Sequence, residues 1–459
     1  MRVTFWKVFD QSGRMQEMGD GRRRMKNAGR LLLLAIVFAS VRPALAIPAF
    51  ARKYGLPCSA CHTSWPMLNN FGQTFKDNGY QLGNGRDAPI YQQPEYWPIT
   101  FRVTPQWHRE SNDRVAVDKV AGSAASGQVE ASVASSGFDT SGIDILSGGT
   151  LSNNISFLVQ PFINSGSSSI AQAWVRFDNL ARTRWLNVKL GEFELDEPIS
   201  QERNLLLSNT GGSYYNYFFT PPGDRSFAVL GGNQLGLEIS GHSENDYSRY
   251  SMALLSTFPS HTYSGYANFT QSFELPKLGL QRIGVYGYLG EAPTYSQTSG
   301  GAPIPGAGLG NRSFYRAGAY GMWYVGKFDF DTFYLHGQDN VFLGNSVPAN
   351  QPSALPPGAA GPAWNGGFIE AHYTYNPRFV LIGKYELIRM SRQANSEIRS
   401  DLGNLDNWAV GYRWYPIMNP RGGLAWVQEY SRLLNAGAAP LSGRDDATSS
   451  LLMGFDFDF

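Results

Sequence analysis

Cys58-Ser59-Ala60-Cys61-His62 is the stretch of this chain whose residue types and spacing dictate a chemistry. Two thiols at this spacing can add to the two vinyl groups of one porphyrin, and the histidine that follows is then held beneath the iron as its proximal ligand. Such a tether lets a short peptide keep a haem without a folded pocket of its own. The chain has only these 2 cysteines. A thioredoxin-like redox pair would need a βαβ setting, and nothing downstream looks α/β. A structural zinc site would need four ligands, and the segment offers two thiols and one His. A disulfide between Cys58 and Cys61 would close a tight loop of the redox-active rather than the structural kind. The spacing predicts one covalent haem c on Cys58 and Cys61, with His62 on the iron.

The sixth iron ligand is less well marked. Between Ile47 and Pro98 the other iron-binding side chain is Met67, five residues past His62 and hard to bring round the porphyrin. Further candidates come from the rest of the chain. His108 and His372 both fall on the polar register of alternating segments, where a wall histidine held by hydrogen bonds is the blander reading. A missing local ligand is a reason to place the haem against, or inside, whatever residues 99–459 build.

The surrounding sequence says where this chemistry operates. Arg22-Arg23-Arg24 and Lys26 precede the apolar run Leu31–Ala39, and Pro43-Ala44-Leu45-Ala46 offers a small-residue exit. These are the three parts of a secretory signal peptide over residues 1–46, and Met25 is a second possible start. The run is too short for a spanning helix, which needs about 20 residues. The full chain carries 38 basic and 37 acidic residues, a net charge of +1. Cleavage after Ala46 would leave 29 basic against 34 acidic, a mildly acidic mature chain of −5. Neither balance suggests a nucleic-acid partner.

Across all 459 residues only 16% are charged, against about 25% in an ordinary soluble domain, while 14% are aromatic and 51 are Gly. Disorder is excluded by the aromatics. Residues 99–459 alternate instead. Ile99, Phe101, Val103, Pro105 and Trp107 oppose Thr100, Arg102, Thr104, Gln106 and His108; at the other end Phe455 and Phe457 alternate with Asp456 and Asp458, and Phe459 closes the segment. This is the pattern of strands with one face in lipid and one in a polar lumen. Sixteen such segments can be marked, the first at 99–109 and 138–149, the last at 405–415, 422–433 and 448–459. The connections 110–137, 195–233, 289–312, 337–365, 391–404 and 434–447 are long. Those at Gly326, Asn376-Pro377 and Met418–Arg421 are tight. Short periplasmic turns with long outer loops are the rule for outer-membrane barrels. The expectation is an all-β, 16-stranded antiparallel barrel over 99–459 in outer-membrane lipid, with a partly helical haem segment, 47–98, plugging the lumen from the periplasmic side. A propeller would show a repeat of about 40 residues, and none is found.

Glu192, Glu194, Asp196, Glu197 and Glu202 cluster near the end of one such segment. Carboxylates are the hard ligands divalent cations prefer, so an Fe(II) entry site is one reading and a solvated rim of charge the other.

Residues 50–82 carry more than the haem signature. Phe50-Ala51-Arg52, Cys58–His62, Pro66-Met67-Leu68, Phe71-Gly72, Phe75 and Gly79-Tyr80 together resemble the opening of the fused monohaem c-type cytochrome–porin family, whose studied members are outer-membrane iron oxidases. The resemblance implies covalent haem on Cys58 and Cys61, iron ligation by His62, and electron transfer across the outer membrane. The donor would be extracellular, Fe(II) among the options, and the acceptor a periplasmic carrier such as a cytochrome c. An Fe(II):cytochrome oxidoreductase is the enzyme this would make. It does not fix the donor. A solute-conducting porin whose haem segment is a plug or redox sensor is the alternative.

Overall fold

The computed structural model describes residues 49–83, 87–92, 98–164, 167–196, 205–207, 230, 232–256, 262–293, 311–339, 360–393, 400–401, 403–419, 422–434 and 447–458. The proposed leader, Glu197, Glu202 and Phe459 lie outside them. The cysteine segment forms three short helices, α1 (Ala49–Tyr54), α2 (Cys58–Cys61) and α3 (Asn70–Asp77). A two-stranded ribbon of His62–Ser64 with Met67–Leu68 separates α2 from α3.

From Ile99 onward the chain is strand. In order these are β1 (Ile99–Asp118), β2 (Gln128–Ser152), β3 (Ile155–Asn164), β4 (Ser167–Phe177), β5 (Asn187–Phe193), β6 (Gln234–His242), β7 (Ser248–Ser256) and β8 (Tyr263–Leu275). Then follow β9 (Gly279–Pro293), β10 (Asn311–Val325), β11 (Phe328–Gln338), β12 (Ala363–Asn376), β13 (Phe379–Arg392), β14 (Leu405–Asn419), β15 (Gly422–Leu434) and β16 (Ala447–Asp458). Each pairs antiparallel with its sequence neighbours, and β16 pairs with β1, so the sixteen strands close into a barrel without an edge. Strand number, antiparallel order and the position of the first and last strands agree with the sequence pattern.

The polarity of the barrel is inside out relative to a soluble protein. Leu254, Val285, Ile369, Leu381, Val410 and Phe455 face outward and are exposed. Their strand neighbours Arg282, Glu370, Lys384, Glu386, Arg413 and Asp456 face the lumen and are buried. A water-facing surface of that kind would forfeit the hydrophobic contribution of about 25 cal/mol per Å²; lipid recovers it. Exposed Phe328, Tyr375 and Trp414 near one rim, and Tyr263, Tyr334 and Tyr385 near the other, form the interfacial girdles of a membrane barrel. This is a porin-like outer-membrane β-barrel.

The structure corrects two details. Residues 110–137, read as a loop, are mostly strand: β1 and β2 run on to a turn over 119–127, far beyond the span that lipid requires. Residues Ala134–Phe138 are exposed on both faces, so no apolar alternation marked them as strand. Conversely, the lumen wall of β8–β12 is not uniformly polar. Tyr286, Phe333 and Phe368 stack at 5.2 Å centroid separations among buried Tyr288, Phe314 and Tyr320.

Val285→Lys on the outer face should lower folding stability in liposomes by about 2–4 kcal/mol if it sits at the bilayer midplane, read by denaturant titration of tryptophan fluorescence. A change below about 1 kcal/mol would contradict the assignment of this face to lipid.

Candidate haem-attachment site

Local chemistry shapes the cysteine turn. Gly55 adopts φ 65, the left-handed conformation that ends α1. Pro57, at φ −70, precedes α2, and the chain leaves α2 at His62 in extended conformation. Asn69 caps α3 by accepting a hydrogen bond from Gly72 N at 2.9 Å, and its side-chain amide donates to Ala60 O at 3.0 Å. Gly72 lets the two helices touch: a Cβ there would stand 2.1 Å from Cys61 O. Gly72 of the Phe-Gly pair is thus a packing requirement of the cysteine turn, whereas Phe71 is exposed.

The segment sits in the short-turn mouth of the barrel, where both ends of the barrel chain lie. It is tied to the wall on every side. Ala49 N donates to Thr100 Oγ1 on β1 at 2.7 Å. Lys53 Nζ donates to Thr150 on β2 at 3.1 Å. Arg176 on β4 donates to the last carbonyls of α3, Lys76 O at 3.1 Å and Asp77 O at 3.0 Å. Arg249 on β7 pairs with Asp77 at 2.7 Å, Arg282 on β9 donates to Asn70 at 3.1 Å, and Tyr415 on β14 donates to Trp65 O at 2.6 Å. Phe50 stacks on Tyr80 at 4.4 Å, and Tyr80 on the wall residue Trp174 at 6.1 Å.

Between plug and wall lies a cavity of about 260 Å³ that opens to solvent. Cys58, Cys61 and His62 all line it, with Phe50, Trp65, Phe75 and Tyr80 from the plug and Arg102, Asp144, Leu158 and Asp458 from the wall. The thiols are not joined in a disulfide. Burial pushes the Cys58 thiol up to about 11, with Asp458 adding to the effect, and burial also raises Cys61. That is the opposite of the depressed thiol of a redox-active Cys-x-x-Cys pair. His62 Nδ1 donates to Pro66 O at 2.9 Å, which places the lone pair on Nε2. A backbone carbonyl on the far nitrogen is the usual way a metal-binding imidazole is oriented. An apolar, aromatic cavity holding two thiols and an oriented imidazole fits a thioether-tethered haem.

The other sequence candidates lie elsewhere in the structure. His108 lies six residues along β1 from Arg102, about 20 Å at strand rise, and its Nε2 meets Ser450 Oγ at 2.7 Å. His372 on β12 is gripped by carboxylates at both nitrogens, Asp329 at Nδ1 and Glu370 at Nε2, the latter at 2.8 Å. Met67 packs with Trp65 and Tyr415. None of the three lines the cavity. The carboxylate group near 192–196 is also divided. Glu192 pairs across the sheet with Leu235, on the outward face, whereas Glu194 and Asp196 turn into the lumen. Asp196 is held by Arg249 at 2.9 Å and by Lys76 at 3.5 Å, cations that keep its carboxyl well below the usual range despite burial. Among the described residues no group of three or more His, Cys, Asp or Glu is placed to hold a metal ion.

Residues that sequence reading did not single out are Arg102, Asp144, Asp456, Asp458 and Arg413. Arg102 grips Asp456 with two hydrogen bonds of 2.9 Å, and Arg413 reaches the same carboxylate at 2.9 Å. The guanidinium of Arg102 also lies 5.4 Å from the Trp65 ring centroid. Their signal was charge on the lumen register, present in the alternation but common to every strand.

No family model and no curated protein matches this sequence. Among solved structures, OmpT of Vibrio cholerae in its trimer form aligns at 9% identity over 78% of this chain and 100% of that chain, with a TM-score of 0.43. The anion-selective porin from Comamonas acidovorans aligns at 10% identity over 79% and 99%, with a TM-score of 0.44. A daunomycin complex of Salmonella typhi OmpF gives 10% over 78% and 97%, with a TM-score of 0.45. The likeness is one of barrel architecture.

Asp246, in the turn between β6 and β7, accepts a hydrogen bond from Thr74 of α3 at 3.2 Å. Burial, and then the charge of Asp77, push its carboxyl up to about 7. A raised carboxyl favours the folded state at low pH, and that stability is lost as pH rises from about 4 to 7. Asp246→Asn should therefore flatten the decline in plug protection from protease between about pH 4 and 7; an unchanged decline would exclude Asp246 as its source.

Proposed function

We propose that this chain is a fused monohaem c-type cytochrome–porin. It would move electrons across the outer membrane, from a reduced extracellular donor such as Fe(II) to a periplasmic carrier. The observation that supports it is that Cys58, Cys61 and His62 line one cavity, inside the mouth of a lipid-embedded barrel. The short-turn mouth would be the periplasmic one. Cys58 and Cys61 would hold the haem and His62 its iron, and the group would supply one-electron cycling between ferrous and ferric states, at a potential set by ligand and burial. The chain's own part is positional. Gly72 and Asn69 fix the cysteine turn, Pro66 orients His62, and Arg176, Arg249, Arg282 and Tyr415 lock the segment to the wall. The aromatic residues make the lining of the site mostly apolar. A plug inside the lumen shortens the distance to the outer surface across an apolar band about 25 Å tall.

A second reading has its own support. Taken alone, the barrel, with its charged lumen, fits a solute-conducting porin better than an electron conduit. In that case the plug would gate or sense. Leu205–Leu207, from the long connection between β5 and β6, argues for a narrow passage. Leu205 and Leu206 are buried against Trp65 and Tyr415, and Leu207 N donates to Glu429 at 2.9 Å.

Detergent-purified mature protein should give a pyridine haemochrome spectrum of the two-thioether type, abolished in Cys58→Ala/Cys61→Ala. In liposomes it should pass electrons from external Fe(II) or dithionite to a trapped cytochrome c without leaking small sugars. Sugar flux with no electron transfer would favour the porin reading, and a colourless protein would remove the haem.

A further inference from the structure

Asp458 is the penultimate residue of the chain and, at 6% exposure, a buried carboxylate facing the cavity that holds Cys58, Cys61 and His62. Its Oδ1 has no hydrogen-bond partner, as is also true of one oxygen of Glu238, Asp246 and Glu370, and a buried acceptor left unsatisfied is costly. Register explains its neighbours. Asp458 on β16 pairs across the sheet with Arg102 on β1, which pairs with Asp144 on β2, so the three side chains form a row on the lumen face. The hydrogen bonds of Arg102 go to Asp456, which Arg413 also shares, so Arg102 acts on Asp458 through its charge alone. From the plug Asp458 faces Cys58. Lys76, the remaining cation of the cavity lining, is matched by Asp196 at 3.5 Å.

The charge count at this seam is therefore uneven. Arg102 and Arg413 stand against Asp144, Asp456 and Asp458, one negative charge in excess. Buried charge persists where it is compensated. Ferric iron in a dianionic porphyrin carries one net positive charge, and ferrous iron none. We infer that Asp458 is the redox-linked proton acceptor of this site: its carboxylate balances the ferric state, and takes one proton from water as one electron enters. On reoxidation the proton leaves. Asp458 touches no substrate and acts through the charge balance of the cavity, so it is a positioning residue for charge. This inference builds on the haem reading above and deepens it.

The test is a potentiometric titration of the detergent-purified mature holoprotein between about pH 5 and 9, with dithionite and ferricyanide as titrants. The midpoint potential should fall as pH rises, by up to about 59 mV per pH unit for one proton per electron. In Asp458→Asn the potential should be higher, because a charge favouring ferric iron is gone, and the slope should flatten over the same range. A flat wild-type potential overturns the inference. So does a slope retained in full by Asp458→Asn, which would assign the proton to haem propionates or another group. Should the variant not fold, the reduced-minus-oxidised infrared difference spectrum of the wild type decides: a protonated carboxyl band must appear on reduction, and its absence overturns the proposal. Absence of haemochrome bands overturns the haem reading itself, an outcome distinct from a haem-loaded protein with a pH-independent potential.

Discussion

A single buried carboxylate, Asp456, holds together the parts of this molecule that matter. It receives two hydrogen bonds from Arg102 and one from Arg413, all of 2.9 Å, and is fully buried. Arg102 is on the first barrel strand and Asp456 on the last, so the contact spans the seam where the cylinder closes. The plug is anchored to the same pair, because Trp65 packs on the Arg102 guanidinium. The inward connection is anchored there too, because Arg413 Nε donates to Leu205 O at 2.6 Å. Removing one partner from a buried ion pair typically costs about 3–5 kcal/mol, most of it the penalty of the charge left behind. Closure, plug seating and loop docking therefore draw on one network.

That network is possible only because the barrel is built inside out. With lipid satisfying the apolar face, polar and charged residues are forced onto the lumen register, where each must find a partner. Lys384 with Glu386, Lys189 with Glu238 and Arg176 with Asp178 do so along the wall. At the short-turn mouth the partners are supplied by the plug: Asp77 for Arg249, the α3 carbonyls for Arg176, and Asn70 for Arg282. The plug is thus part of the charge balance of the wall, not a passive stopper. The cavity wall presents Asp458, one of several lumen carboxylates, Glu238 and Glu370 among them, with no hydrogen bond on one oxygen.

Two separate stretches of chain meet inside the barrel. The helical segment enters from the short-turn rim, while Leu205 and Leu206 reach the same apolar cluster by way of the connection between β5 and β6. Trp65 lies at the meeting point. Among the described residues, the plug and Leu205–Leu206 meet in one apolar cluster inside the barrel.

How much of this was legible beforehand follows from the range of each interaction. Alternation of period two is local, so the apolar and polar registers, and the sixteen strands they imply, could be read from the chain. So could the grouping of Cys58, Cys61 and His62, because five consecutive residues hold all three. The β1–β2 extension could not, because solvent on both faces removes the alternation that marks a strand. Charge partners could not either. Asp456 is 354 residues from Arg102, and every strand carries polar residues on that register, so nothing local distinguishes the carboxylate that is shared from Asp458, which is not. The surroundings of His108 and His372 were hidden for the same reason: the alternation put both on the lumen face, but only strand position and cross-strand neighbours decided that one meets Ser450 and the other is held by two carboxylates.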